Sequence, residues 1–235
     1  MAIIIDITGY DPEDQSRIQY FLDKKSFDHP PATIERLARN PAAFLTPKGN
    51  EYCSLVLTGG QNGRFLDYLR KSDYFAKDFG GLRKVSHLLA FSYGENPDVN
   101  SKLAEIAQQT IQKAPHISVA AQWEIADALG GDTPGLTGSI LRIGLDEGQD
   151  YITTEQVIQK WLNLSGRTEN SSFLIVAQAW HAPRCIQLCK NRGLHIAAGR
   201  FANHFSPHDP QPWVQNAFRW VLKEGTKKLS PPPSP

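Results

Sequence analysis

The sequence carries none of the strongly diagnostic catalytic motifs. No GxSxG elbow, HExxH pair, P-loop or paired CxxC occurs in its 235 residues, which removes the best-marked hydrolases and NTPases. Cysteine is scarce: the three present fit a reducing compartment. No apolar run approaches the roughly 20 residues needed to span a bilayer. Neither sign of charge is in excess, with 25 Lys and Arg against 24 Asp and Glu, so bulk electrostatics favour neither nucleic acid nor an anionic membrane. The opening MAIIIDITGYD has no basic n-region and meets acids at Asp6 and Asp11. It reads as a first strand, not a signal peptide. No repeat of fixed period is present. These absences leave a soluble globular protein, expected in the cytoplasm.

What is present is a rhythm. Phe173 to Ala177 is an apolar run, His181-Ala182-Pro183-Arg184 opens a helix, and Gly193 closes it before a second apolar run, Leu194 to Ala198. Strand, helix and strand in so short a span form the unit of a parallel α/β sheet. The same alternation runs back through the chain. Strands are expected at Leu88–Phe91, His116–Ala120 and Ile140–Ile143, and helices at Leu103–Ile111, Glu124–Leu129 and Glu155–Leu162. The expectation is a Rossmann-like, doubly wound parallel sheet over residues 85–225 with right-handed crossovers. Residues 1–84 are less regular and form an N-terminal α/β extension, either added to the sheet or capping it. Pro210 to Leu222 reads as a C-terminal helix, and residues 226–235, ending SPPPSP, as an extended tail.

Chemistry is expected at the carboxyl ends of such strands, where helix N-termini offer unpaired N–H groups. His181 and Arg184 fall there, with Pro183 in the first helical turn where its missing N–H costs nothing. A guanidinium at that place suits a phosphate or carboxylate, because its planar fork binds two oxygens together. The plainer alternative is an arginine paired with a structural acid and a histidine that only caps. Glu124 opens a helix, where the dipole alone would favour a carboxylate, yet parallel strands deliver it to the same edge as His181. Thr154 precedes a periodic helix and reads as its N-cap.

Other constellations are weaker. Thr58-Gly59-Gly60-Gln61-Asn62-Gly63 resembles a dinucleotide fingerprint whose first glycine is threonine, and a tight turn explains it better. His204, His208 and Asp209 have ligand-like spacing but lie among Ser206, Pro207 and Pro210, and no metal site is expected. Cys185 and Cys189, one helical turn apart, read as small core residues.

From about Leu88 to Phe205 the chain resembles the SanA/ElyC/YdcF-like family of domains of unknown function. The corresponding pieces are LLAFSYGENPDVNSKLAEIA, HISVAAQWEIADAL, ILRIGLDEGQDYITTEQ and FLIVAQAWHAPRCIQLCKNRG. The last is the most specific, through His181, Pro183 and Arg184. The resemblance implies catalytic roles for Glu124 and His181, and ligand-binding roles for Arg184, Thr154, Glu155 and, in the glycine loop, Gly94 and Glu95. The chain departs from the family where Ala120, Ala121, Gln122 and Trp123 replace a Ser-Gly-Gly stretch before the acid, and where Gln156 replaces asparagine. A Rossmann-like fold with a small-molecule site follows, in a family often linked to envelope or lipid-carrier metabolism.

The functional expectation is a cytosolic protein that binds an anionic small molecule, a nucleotide or phosphorylated metabolite. Arg184 would hold the anion and Glu124 or His181 would move a proton. The rivals are a non-catalytic sensor or scaffold, with residues 1–84 contacting a partner, and a dinucleotide-dependent enzyme using Thr58 to Gly63.

Overall fold

The structure, a computed structural model, describes residues 75–130, 139–165, 171–206, 208–214, 220 and 224. The elements expected in the N-terminal extension, the Thr58–Gly63 turn, most of the C-terminal helix and the proline-rich tail lie outside the described residues. Two compact units divide the chain, and the one described in most detail spans Tyr74–His204.

Strands β1 (His87–Ala90), β2 (Ser118–Gln122), β3 (Leu141–Ile143), β4 (Ser172–Gln178) and β5 (His195–Ala202) alternate with helices α1 (Pro97–Lys113), α2 (Trp123–Leu129), α3 (Thr154–Ser165) and α4 (Ala182–Asn191). They form one sheet in the order β3-β2-β1-β4-β5, and every adjacent pair is parallel. The expected doubly wound α/β architecture is therefore the one observed. The order reverses between β1 and β4, which makes the carboxyl ends of these two strands the topological switch point.

Burial explains which segments became strands. Each residue of β4 is buried, as a central strand covered on both faces requires, and this is why its sequence is a continuous apolar run. Alternate residues serve opposite faces. Leu89, Phe91, Phe173, Ile175 and Ala177 join Val157, Trp161, Cys185 and Cys189 in one core under α3 and α4.

The helices begin and end where their sequences say. Asn96 caps α1 by accepting from the Asp98 amide at 2.9 Å, and Pro97 fills its first turn. Val99, Leu103, Ala107 and Ile111 then give the buried stripe. At the end of α4, Gly193 takes φ +71°. Its amide reaches the Lys190 carbonyl at 2.8 Å and that of Leu194 reaches Cys189 at 3.0 Å, the paired bonds of a Schellman stop.

One addition has no periodic signal in the sequence. Phe79 bridges Gly199 in antiparallel sense along the outer edge of β5. Arg200 holds the same segment through the carbonyls of Phe79 and Gly80, at 2.7 and 2.9 Å. This occupies part of an edge that would otherwise present unpaired backbone groups. In the second unit, residues 212–214 form a short 3-10 turn at the start of the expected C-terminal helix, behind an Asp209 carboxylate that accepts from the Gln211 amide at 2.8 Å.

Candidate functional site

The switch point is built from the turns that follow β1, β2 and β4. Where β4 ends, Gln178 is fully buried and its Oε1 accepts from the amides of Trp180 and His181, at 2.7 and 3.1 Å. Its Nε2 donates to the His204 carbonyl at 3.2 Å. One amide side chain thus satisfies the tight turn into α4, an economical answer to buried backbone polar groups. His181 is the N-cap residue of α4, yet its side chain makes no capping bond. The imidazole turns elsewhere.

It turns to Thr154. His181 Nε2 lies 3.1 Å from Thr154 Oγ1 and 2.9 Å from Arg184 Nη2, and Arg184 Nη2 also donates to Thr154 Oγ1 at 3.1 Å. Arginine has only donors, so Nε2 is the acceptor in its bond to Arg184 and the ring proton belongs on Nδ1. His181 is buried, whereas Arg184 is half-buried. The rings of Phe91 and Tyr93 pack beside the imidazole, with centroids 6.4 and 5.8 Å away.

The N-cap reading of Thr154 is corrected here. Thr153 is the cap: its Oγ1 accepts from the Gln156 amide at 3.2 Å, and Gln156 Oε1 accepts from the Thr153 amide at 2.8 Å. This reciprocal pair is a capping box. Because Thr153 does the capping, the next hydroxyl is available to meet His181 and Arg184.

Glu124, in the first turn of α2, stands on the other side of the β1 end. Its carboxyl is pushed up to about 7, chiefly by burial and further by the charge of Asp127; hydrogen bonding to its own backbone and to Ser92, with the charge of Arg142, pulls the other way. Oε2 is buried and has no hydrogen-bond partner. Asp127 itself is paired with Arg142 through two bonds, at 2.8 and 2.9 Å, on the surface, and that guanidinium holds its carboxyl below the usual range. At neutral pH Glu124 is therefore poised between acid and base, as proton transfer requires.

The β1–α1 loop joins the two halves. The Ser92 amide donates to Gln122 Oε1 at 3.0 Å, and the Tyr93 amide donates to the buried Asn100 Oδ1 at 2.9 Å. Gly94 has φ +75° and its carbonyl accepts from Asn100 Nδ2 at 3.3 Å. Glu95 is exposed in the same loop.

Of the expected residues, Thr154, His181 and Arg184 are in mutual contact, while Glu124 and Gly94 sit at neighbouring strand ends. Glu155 is exposed and its carboxylate pairs with Arg192 at 2.7 Å, a partner outside the triad. Ser92, Tyr93, Gln122 and Asn100 were not singled out from sequence. The signal available was their place, directly after buried strand β1, at the end of β2, or in helix α1.

Cys185 and Cys189 are buried in the core, and burial pushes the Cys189 thiol up to about 12. Among the described residues, no group of three or more His, Cys, Asp or Glu side chains is placed to hold a metal ion, and no helix is long and apolar enough to cross a membrane. Comparison with protein-family models, curated proteins and solved structures gives no match.

Proposed function

We propose that this protein binds an anionic small molecule, a nucleotide or phosphorylated metabolite, at the switch point of its sheet. The observation that carries the reading is the Thr154–His181–Arg184 contact at the start of α4. Two bonds on one Nη2 orient the guanidinium beside a helix N-terminus, where a fixed positive charge and the helix dipole both favour an anion. In this reading Arg184 holds the anion, Thr154 and His181 position Arg184, Gly94 and Glu95 border the ligand, and Glu124 carries a proton. The likeness of the HAPR turn and its preceding strand to the SanA/ElyC/YdcF-like family supports the same assignment. A cytoplasmic setting is part of the proposal and is supported by the scarcity of cysteine, three in 235 residues.

The test is calorimetric titration with adenosine monophosphate and with inorganic phosphate, alongside thermal melting. Arg184→Ala is expected to weaken binding about ten- to a hundredfold, the effect of losing one charge-assisted contact, with little change in melting. A variant that melts much earlier but binds like the wild type overturns the role of Arg184. Native mass spectrometry of freshly purified protein would identify a ligand carried through purification.

A further inference from the structure

A cavity lies at the opposite end of the strands, where β1, β2 and β3 begin. It has a volume of ≈ 380 Å³, within the range of about 300–1,000 Å³ that accommodates small molecules. Its wall is formed where β1, β2 and β3 begin, at His87, Ser118 and Leu141, and by Trp161 and Ser165 on α3, with Ser139 at its side. Trp161 and Ser165 are one turn apart and so share a helix face. β2 contributes Ser118, Val119 and Ala120 to the lining, and Ala120 belongs to the core that contains Trp161.

We infer that this amino-edge cavity binds an uncharged, hydroxyl-bearing ring of sugar or nucleoside size. Its ten lining residues include no Lys, Arg, Asp or Glu, so an ionic ligand would lose its hydration without gaining a fixed countercharge. Three serines line it, Ser118, Ser139 and Ser165, and each hydroxyl can both donate and accept. Ser165 Oγ is buried without a hydrogen-bond partner, and a ligand hydroxyl would supply one. The floor is rigid. His87 stacks on Phe173 with centroids 5.2 Å apart, and Trp161 stands edge-on to Phe173 at 4.9 Å. His87 Nδ1 is held by Ser86 Oγ at 2.8 Å. Burial moves the His87 imidazole below its ordinary value, which favours the neutral ring at that part of the wall; His116 is the other histidine lining the cavity.

This site shares none of the residues assigned to the anion, so the two ideas stand or fall separately. The probes are uridine and methyl α-glucopyranoside, which share a hydroxylated ring and differ in the base. Each is titrated against the full chain by calorimetry and by amide chemical shifts. The expected result is saturable binding of at least one, with shifts concentrated at His87, Ser118 and Ser165. If only uridine binds, the base contributes; if both bind, the ring alone suffices. Ser139 is exposed, so Ser139→Trp can block the cavity without disturbing the core and should weaken binding by roughly tenfold or more. Ser165→Ala should weaken it by up to about tenfold, the effect of one neutral hydrogen bond. Arg184→Ala should leave it unchanged. Absence of saturable binding by both probes overturns the inference. So does binding that ignores Ser139→Trp, or binding that Arg184→Ala abolishes, since the latter locates the ligand at the carboxyl edge.

Discussion

Thr154 and His181 meet across 27 positions of sequence, Oγ1 to Nε2 at 3.1 Å, and the contact ties the start of α3 to the start of α4. Arg184 Nη2 donates to both partners, so the hydroxyl is one of two fixed points that orient the guanidinium. Thr154→Val keeps the shape and removes only the hydroxyl. It is expected to cost about 1 kcal/mol of stability and to weaken adenosine monophosphate binding by roughly five- to tenfold. Thr154→Ser should restore most of both. Calorimetry on the three proteins checks this, and equal affinity in Thr154→Val and wild type counts against the positioning role.

The two cysteines of α4 offer a chemical check on the core. Thiolate is the reactive form, and burial has pushed the Cys189 thiol up to about 12, far above neutral pH. Iodoacetamide at neutral pH should leave Cys185 and Cys189 unmodified in the native protein and alkylate both after denaturation. Peptide mass spectrometry gives the answer. Native Cys189 reacting like a free thiol would remove it from the core.

Gly80 tests the segment that lines β5. A Cβ there would lie 2.0 Å from the Ala197 carbonyl oxygen and 2.8 Å from Ala198 Cα, and its φ is +71°. Backbone cannot yield as a side-chain tip can, so Gly80→Ala should destabilise by at least about 1–3 kcal/mol. Gly81 is the control, since a Cβ there meets nothing within 4 Å; Gly81→Ala should stay within about 0.5 kcal/mol. Urea unfolding of the two variants decides it. Equal midpoints would mean that the segment does not sit against β5.

The order of strands and helices from Leu88 onward was legible for a physical reason. Strands buried on both faces must be apolar throughout, as β4 is, and helices against one sheet face show their stripe. Helix α1 still runs longer than its apolar stripe suggested, from Pro97 to Lys113, because Pro97 and Asp98 at its start and Gln112 and Lys113 at its end are exposed. The candidate site was legible as a place, through Glu124, Thr154, His181 and Arg184, but not as a set of contacts. Thr153 and Thr154 are adjacent hydroxyls, and only the return bond from Gln156 shows which one caps. Gln178 reads as the end of an apolar run; its oxygen holds the nearby α4 turn, and its bond to the His204 carbonyl depends on a residue 26 positions away. The segment at Phe79 has no period at all, and Gly80 is its one conformational clue.

Glu124 yields a pH signature whose sign can be worked out. Its carboxyl moves from an ordinary 4.5 to about 7 in the folded protein, mainly through burial. Between those values the folded state keeps a proton that the unfolded state has released. Stability therefore falls as pH rises through that window, and the loss is complete above about pH 7. A shift of this size has an upper bound of about 3 kcal/mol. Glu124 is only half-buried, so solvent screening reduces the expected effect to on the order of 1 kcal/mol. Glu124→Gln has nearly the same shape and cannot ionise. Relative to wild type it should gain stability steadily from about pH 5 to about pH 8, and the difference between the two melting curves isolates this group from every other titration. A difference that stays flat with pH would show that Glu124 ionises as it would in water, and its assignment as the proton carrier would fall with it.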